Sequence, residues 1–554
     1  MRARLVLFAL VPSALALAGC GDELVCERDV AARAEAASAP DRRLLGAATD
    51  VPADPEFAAR IEELLVSQRA RRAAAWEVVA RVLAPVPLAQ PTPLGEVTVP
   101  RFRAFYDRED FQRLFSHLYG GLTPEQRAAS ARFSDAALDD AFGWNARYLD
   151  ELGTWSEERW AEHVAAFDTP EEINALGGIR RITTSPSLTR HLIESYPEVL
   201  RCLAEGPPPA QVEGEARTDR LMRVPIELEA CGQASFGPFF VARGASLAAE
   251  LDAPGARVSI LEGASRAEAE PRCEDERRCE VEGPGWLHVI ARAEGRRASG
   301  ALEITRTAVT APVACLRGAL PLDAVSIAAE WRRLDPALPL PTYDTSAPAL
   351  AALLRDPVPT WGEGQGVAMP GPEAIYTQRT ASGATFVLAG FHVRTGELPL
   401  GLYVTLWWSD RPDEDFGADR PDAIRALGPP WTSYKMCVAI DHAELDPDPG
   451  GGFAEDAPSL AAALAAVNEG RGGPSWCSNP YVDAAPGLAR GNCVGCHQHA
   501  MTGVRPGEVA TDAERFPENG RLAARNNQPA HGFWGLDAGD HLASLIREVV
   551  DYWD

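Results

Sequence analysis

Lysine is almost missing from this chain: of 53 lysine and arginine residues, Lys435 is the single lysine. So strong a bias reads as genomic base composition and carries no functional content. Positive charge of any kind is short, since 79 acidic residues stand against those 53 and leave a formal charge of -26. That excludes a nucleic-acid partner, because binding phosphates takes a basic surface that releases counterions. Anionic membrane surfaces are disfavoured for the same reason. The apolar stretch at residues 5–17 is too short to span a bilayer comfortably. Also missing are a nicotinamide or flavin fingerprint, a nucleophile elbow, a zinc-protease helix, an EF-hand register and an internal repeat. What is present is a chain of 554 residues, 46% hydrophobic and 24% charged, the composition of a globular protein with several domains.

Arg2 and Arg4 precede the apolar stretch, which closes on Leu17-Ala18-Gly19-Cys20, and small residues after a short apolar run read as a cleaved export signal. These four residues resemble the bacterial lipoprotein box. The resemblance implies that residues 1–19 are removed and that Cys20 carries the lipid, which would anchor the protein in the cell envelope, by default on the periplasmic side. An ordinary secretory signal with an incidental cysteine is the alternative.

Eleven cysteines fit an oxidising compartment. Setting aside Cys20, Cys493 and Cys496 leaves eight, Cys26, Cys202, Cys231, Cys273, Cys279, Cys315, Cys437 and Cys477, an even number, as disulfide pairing requires. Only Cys273 with Cys279 is close enough in sequence to pair by inspection. The rest leave the connectivity open, or are buried free thiols.

The segment 20–53 lacks apolar periodicity and reads as a tether. Residues 54–205 read as a helical domain. Phe57, Ile61, Leu64, Leu65, Trp76, Val79 and Leu83 recur at helical spacing, and capping boxes start at Thr123 and Thr169. Residues 210–310 alternate with a period of two between glycines and prolines and read as a β-sandwich-like module, with Cys273 and Cys279 stapling a hairpin. Residues 311–480 read as an α+β region whose strongest strands are 385–394 and 402–408. Its acidic runs, around Asp410, Asp413, Glu414, Asp415 and Asp419 and around Asp441, Glu444, Asp446 and Asp448, read as solvated loops rather than calcium sites. Residues 481–554 complete an expected multidomain α+β architecture as a small helical region. Its final helix carries Leu542, Leu545, Ile546, Val549 and Trp553 as an apolar stripe suited to packing on a cofactor helix or ring.

The segment that carries chemistry is Asn492-Cys493-Val494-Gly495-Cys496-His497, the C-x-x-C-H pattern of covalent haem attachment. Thiols at that spacing share one side of a helical turn, where they can add to the two vinyl groups of one porphyrin while the next residue offers an imidazole to the iron. The segment resembles the haem-binding motif of c-type cytochromes. The resemblance implies haem c as cofactor, Cys493 and Cys496 as thioether links, and His497 as proximal iron ligand. A looser likeness, through Trp476-Cys477-Ser478-Asn479-Pro480 and the strand with Trp407 and Trp408, runs to large exported bacterial proteins ending in a cytochrome domain. Half of a zinc site, a redox dithiol and a structural disulfide are the competing readings of the pair, but zinc needs two further ligands and a redox dithiol a βαβ setting.

The distal iron position is less determined. Met501, four residues beyond His497, stays on the proximal side if the helix continues, and His499 is hampered by the same closeness. His531, in Pro529-Ala530-His531-Gly532, has enough intervening chain, as does His541 on the last helix; His392, His442 or an open site complete the alternatives. The expected function is a lipid-anchored monohaem cytochrome exchanging electrons with an exported redox protein or another donor or acceptor. The alternatives are an oxidoreductase with a second active site near His392, Tyr403 and Trp407, and an adhesion or sensing lipoprotein whose haem is structural or binds gas.

Overall fold

The computed structural model describes residues 51–87, 98–142, 178–205, 209–497 apart from short interruptions such as 212–216, 264–268, 313–319, 380–384, 469–474 and 484–486, and 541–554. Cys20, the tether up to residue 50, His442, His499, Met501, His531 and the capping box at Thr169 lie outside these residues.

In chain order the first long helix is α1 (Gln68–Leu83), whose first turn is capped by the Ser67 side chain accepting from the Ala70 amide. Next comes α2 (Arg108–Gly120), opened by a reciprocal capping box of Asp107 and Asp110. Strand β1 (Gly178–Thr184) follows, then α3 (Pro186–Glu194) and α4 (Tyr196–Glu205). The box at Thr123 forms, with Gln126 returning to the Thr123 amide and Pro124 in the first turn.

Eight strands come next: β2 (Arg217–Leu228), β3 (Gln233–Val241), β4 (Ala245–Asp252), β5 (Ala256–Glu262), β6 (Glu270–Glu276), β7 (Arg278–Glu282), β8 (Gly285–Ala293) and β9 (Ala298–Ala308). They form two antiparallel four-stranded sheets, ordered β7-β4-β9-β2 and β3-β8-β5-β6. Inward residues of both, among them Leu247, Ala249, Val258, Ile260, Val289 and Ile304, build one apolar core separate from the rest of the molecule. Short strands Pro209–Gln211 and Thr310–Pro312 pair where the chain enters and leaves. Cys273 and Cys279 are disulfide-bonded across the β6–β7 turn, with Cα atoms 5.8 Å apart.

The main sheet uses β10 (Val325–Arg333), β11 (Thr377–Arg379), β12 (Thr385–Thr395), β13 (Leu402–Trp408) and β14 (Tyr434–Ala439). Its order is β14-β13-β12-β10-β1, with β11 pairing on β12. Strands β12 and β13 are rich in Val, Thr and aromatic residues and buried along almost their whole length, so both of their faces must be covered. On one side Phe102 stacks on Phe391 at 5.9 Å, and α1 contributes Trp76, Val79 and Leu83 to the same core. Towards the carboxyl end the described residues include helices α5 (Pro458–Asn468), α6 (Cys493–His497) and α7 (His541–Trp553).

These connections overturn the expected α+β division with a helical amino-terminal domain and a small helical carboxy-terminal domain. Antiparallel sheets are the framework. Strand β1, from the stretch read as helical, is the edge strand of the main sheet, paired with β10 from Ser326↔Thr184 to Arg332↔Gly178. Helix α7 does not cover a cofactor helix. Leu545, Ile546 and Val549 join Phe111, Leu114, Phe115, Leu192 and Tyr196 in one core, and Trp553 Nε1 donates to Ser116 Oγ of α2. The physical reason is that an apolar stripe declares that a helix face is buried but not against what.

The acidic runs are not simply solvated loops either. Asp415 is buried and holds Lys435 Nζ at 2.8 Å; Asp419 takes Arg72 at 2.6 Å; buried Glu444 accepts from the Ser475 amide and lies 3.7 Å from Arg71. These carboxylates neutralise cations inside the molecule. Among the described residues no helix is long and apolar enough to cross a membrane.

Candidate functional site

The register of the main sheet sets the site. Gly390 pairs with Trp407, His392 with Thr405 and Arg394 with Tyr403, so these six residues share the face opposite Phe391. That face is covered by the segment leading into the C-x-x-C-H motif. Cys477 is disulfide-bonded to Cys437 of β14, with Cα atoms 5.3 Å apart, which pins the segment to the sheet. Trp361 Nε1 donates to Ser478 Oγ at 2.9 Å. Asn479, fully buried, donates through Nδ2 to Thr405 Oγ1 and to the Leu406 carbonyl, both at 2.8 Å, while its Oδ1 accepts from the Tyr481 amide. The close fit needs Gly390, where a Cβ would stand 2.7 Å from Asn479 Oδ1.

Asp483 accepts from the Asn479 amide and lies 3.5 Å from His392 Nε2. Burial alone would push its carboxyl up, but the His392 imidazole and the Asn479 amide outweigh that and hold it below the ordinary carboxylate range. His392 is thus engaged with a carboxylate.

The chain then reaches α6. Trp476 Nε1 donates to the Ala489 carbonyl at 2.8 Å and the Cys477 amide to the Gly491 carbonyl at 3.2 Å, holding the approach against the tryptophan. Asn492 caps α6, its Oδ1 accepting from the Gly495 amide at 2.8 Å. Val494 is buried in the core, and Cys493 and His497 are half-buried at its border. The His497 ring lies 5.1 Å from that of Tyr403, centroid to centroid, inclined by 44°. Burial pushes the Tyr403 hydroxyl up, against the opposing pull of Arg394. Arg394 donates a long bond of 3.4 Å from Nε to Tyr403 Oη and sets its guanidinium 5.7 Å from the ring centre.

Cys493, Cys496 and His497 therefore share one helical turn, docked on the sheet through Val494 and Tyr403. His541 begins α7, the helix packed on α2. Tyr403 and His392, which the sequence offered as part of a separate second site, lie on the sheet face under the motif segment. Sequence reasoning gave no role to Arg394, Asn479 or Asp483. The alternation along 402–408 places Tyr403, Thr405 and Trp407 on one face, but nothing local says that a segment some 75 residues later covers it.

Among the described residues no three or more His, Cys, Asp or Glu side chains gather as a metal-ion cage. A haem asks for less, since the porphyrin supplies four ligands and the chain needs two thiols and one imidazole in the right order. The donor set of Cys493, Cys496 and His497 fits that demand. No family model matches this chain, and no curated protein is similar to it at a significant level.

Proposed function

We propose that this chain is an exported, lipid-anchored c-type cytochrome with one haem near its carboxyl end, exchanging single electrons with an exported redox partner. The observation that supports the reading best is the C-x-x-C-H segment as one capped helical turn, fixed through Val494 to the core with His497 against Tyr403. In this reading Cys493 and Cys496 hold the haem by thioether bonds, His497 ligates its iron, and Cys20 carries the lipid. The haem, when bound, supplies reversible one-electron chemistry. Asn492 keeps the turn wound so that the cysteines and the histidine keep their relative positions. Tyr403 limits the swing of the His497 ring. The disulfide to Cys437 and the Asn479 bonds keep the segment from peeling off the sheet, which preorganises the ligand set.

In the same reading His531 or His541 would offer a second imidazole to the iron, and the two make different demands. His541 heads a helix whose apolar face is committed to α2, whereas His531 lies in a proline- and glycine-flanked stretch. The test is the reduced spectrum in alkaline pyridine of protein matured with haem-attachment machinery, followed by exposure of untreated reduced protein to carbon monoxide. A c-type haemochrome supports the reading, and one that persists in His531→Ala with a new carbon monoxide shift assigns the distal ligand. A spectrum without haem overturns both.

A further inference from the structure

Arg394 is 6% exposed and its charge has no acidic partner among the described residues. Its contacts are the hydroxyl and ring of Tyr403, which is itself buried. A guanidinium taken out of water without a counter-charge is costly, and proteins retain one where something anionic completes it. Glu397, three residues along the chain, and Asp483, beside the strand at His392, are engaged elsewhere. Glu397 gives Oε1 to Arg81 and the Asp54 amide and Oε2 to Arg81 and Thr395; Asp483 faces His392. Space is kept for the guanidinium by Gly401, at φ +92, where a Cβ would stand 2.9 Å from Arg394 Nε. The ring carrying Arg394 is the ring that touches His497.

We propose that Arg394 supplies the counter-charge for a propionate carboxylate of the haem held at Cys493, Cys496 and His497. The inference rests on the haem reading above and adds to it the group that receives the anionic edge of the porphyrin. A planar guanidinium suits a carboxylate because it offers parallel N–H donors, and Tyr403 orients it by accepting from Nε. Pairing there also sets the potential, because a fixed positive charge beside the haem favours the reduced, less positive iron.

The test uses the full chain matured with haem-attachment machinery, as wild type, Arg394→Gln and Arg394→Lys. Haem staining of a denaturing gel comes first, and an unstained wild-type band overturns the haem reading itself, and this inference with it. With stained bands, the inference expects Arg394→Gln to shift the propionate bending modes in the resonance Raman spectrum and to lower the midpoint potential. Arg394→Lys, which keeps the charge, should recover most of the potential. Propionate modes and potential unchanged in Arg394→Gln overturn the inference while leaving the haem reading intact. Should Arg394→Gln fail to mature, the reduced-minus-oxidised infrared spectrum decides. A guanidinium band sensitive to heavy-nitrogen arginine in the wild type and missing from Arg394→Lys supports the pairing, and its presence in both or neither overturns it.

Discussion

At the residue scale, the interior is organised around a few charges that the sequence presents as unremarkable. Lys435, a compositional leftover by its rarity, is 1% exposed and bound by Asp415 and Thr345 Oγ1. Lys435→Met should therefore cost about 3–5 kcal/mol, because it strands a buried carboxylate. Adding Asp415→Asn should recover much of that loss, and urea denaturation of the two variants measures both. Asp483 offers a pH signature. Its folded pKa lies below the unfolded value of about 3.9, so its contribution is present above that pH and is lost as pH falls through the folded value. Asp483→Asn should be less stable than wild type near neutrality and should close that gap as acid is added, a convergence visible in denaturation midpoints. None of these partners could be read from the chain. Asp415 and Asp483 look like any loop carboxylate until the fold brings Lys435 and His392 to them.

At the element scale, local pattern and long-range partnership separate cleanly. The strands β12 and β13 and the alternation along β8 were legible, since each is written within a dozen residues. The partners were not. Strand β1 crosses from a helix-rich stretch to the edge of the main sheet, and α7 returns to pack on α2, contacts that no window of sequence contains. Leu545, fully buried in that shared core, should cost about 2–5 kcal/mol as Leu545→Ala. Because α7 and the amino-terminal helices bury one another, hydrogen exchange should speed up in α2 as well as in α7. An effect confined to α7 would favour an independent carboxy-terminal unit.

At the scale of the whole molecule, two of the three cores among the described residues serve different ends. The module of β2 to β9 is closed on itself, while the main sheet shares one core with α1 and the motif segment, which meet where Ser475 Oγ donates to Gln68 Oε1. If Cys493, Cys496 and His497 hold haem as proposed, this sheet is the surface that positions them. With a net charge of -26, the molecule should attract basic redox proteins over long distances. Electron-exchange rates with a basic partner should fall as salt is raised. A rate independent of salt would show that the surface charge plays no steering role.

The proposed haem is a porphyrin joined through sulfur to Cys493 and Cys496. Its most direct measurement is peroxidase staining of a denaturing gel of the full chain, expressed with and without haem-attachment machinery and compared with a Cys493→Ala, Cys496→Ala double variant. Covalent haem at these two cysteines gives a stained band at full mass only in the wild-type chain with the machinery present. A wild-type band that takes no stain under those conditions, or a double variant that stains equally, would contradict it.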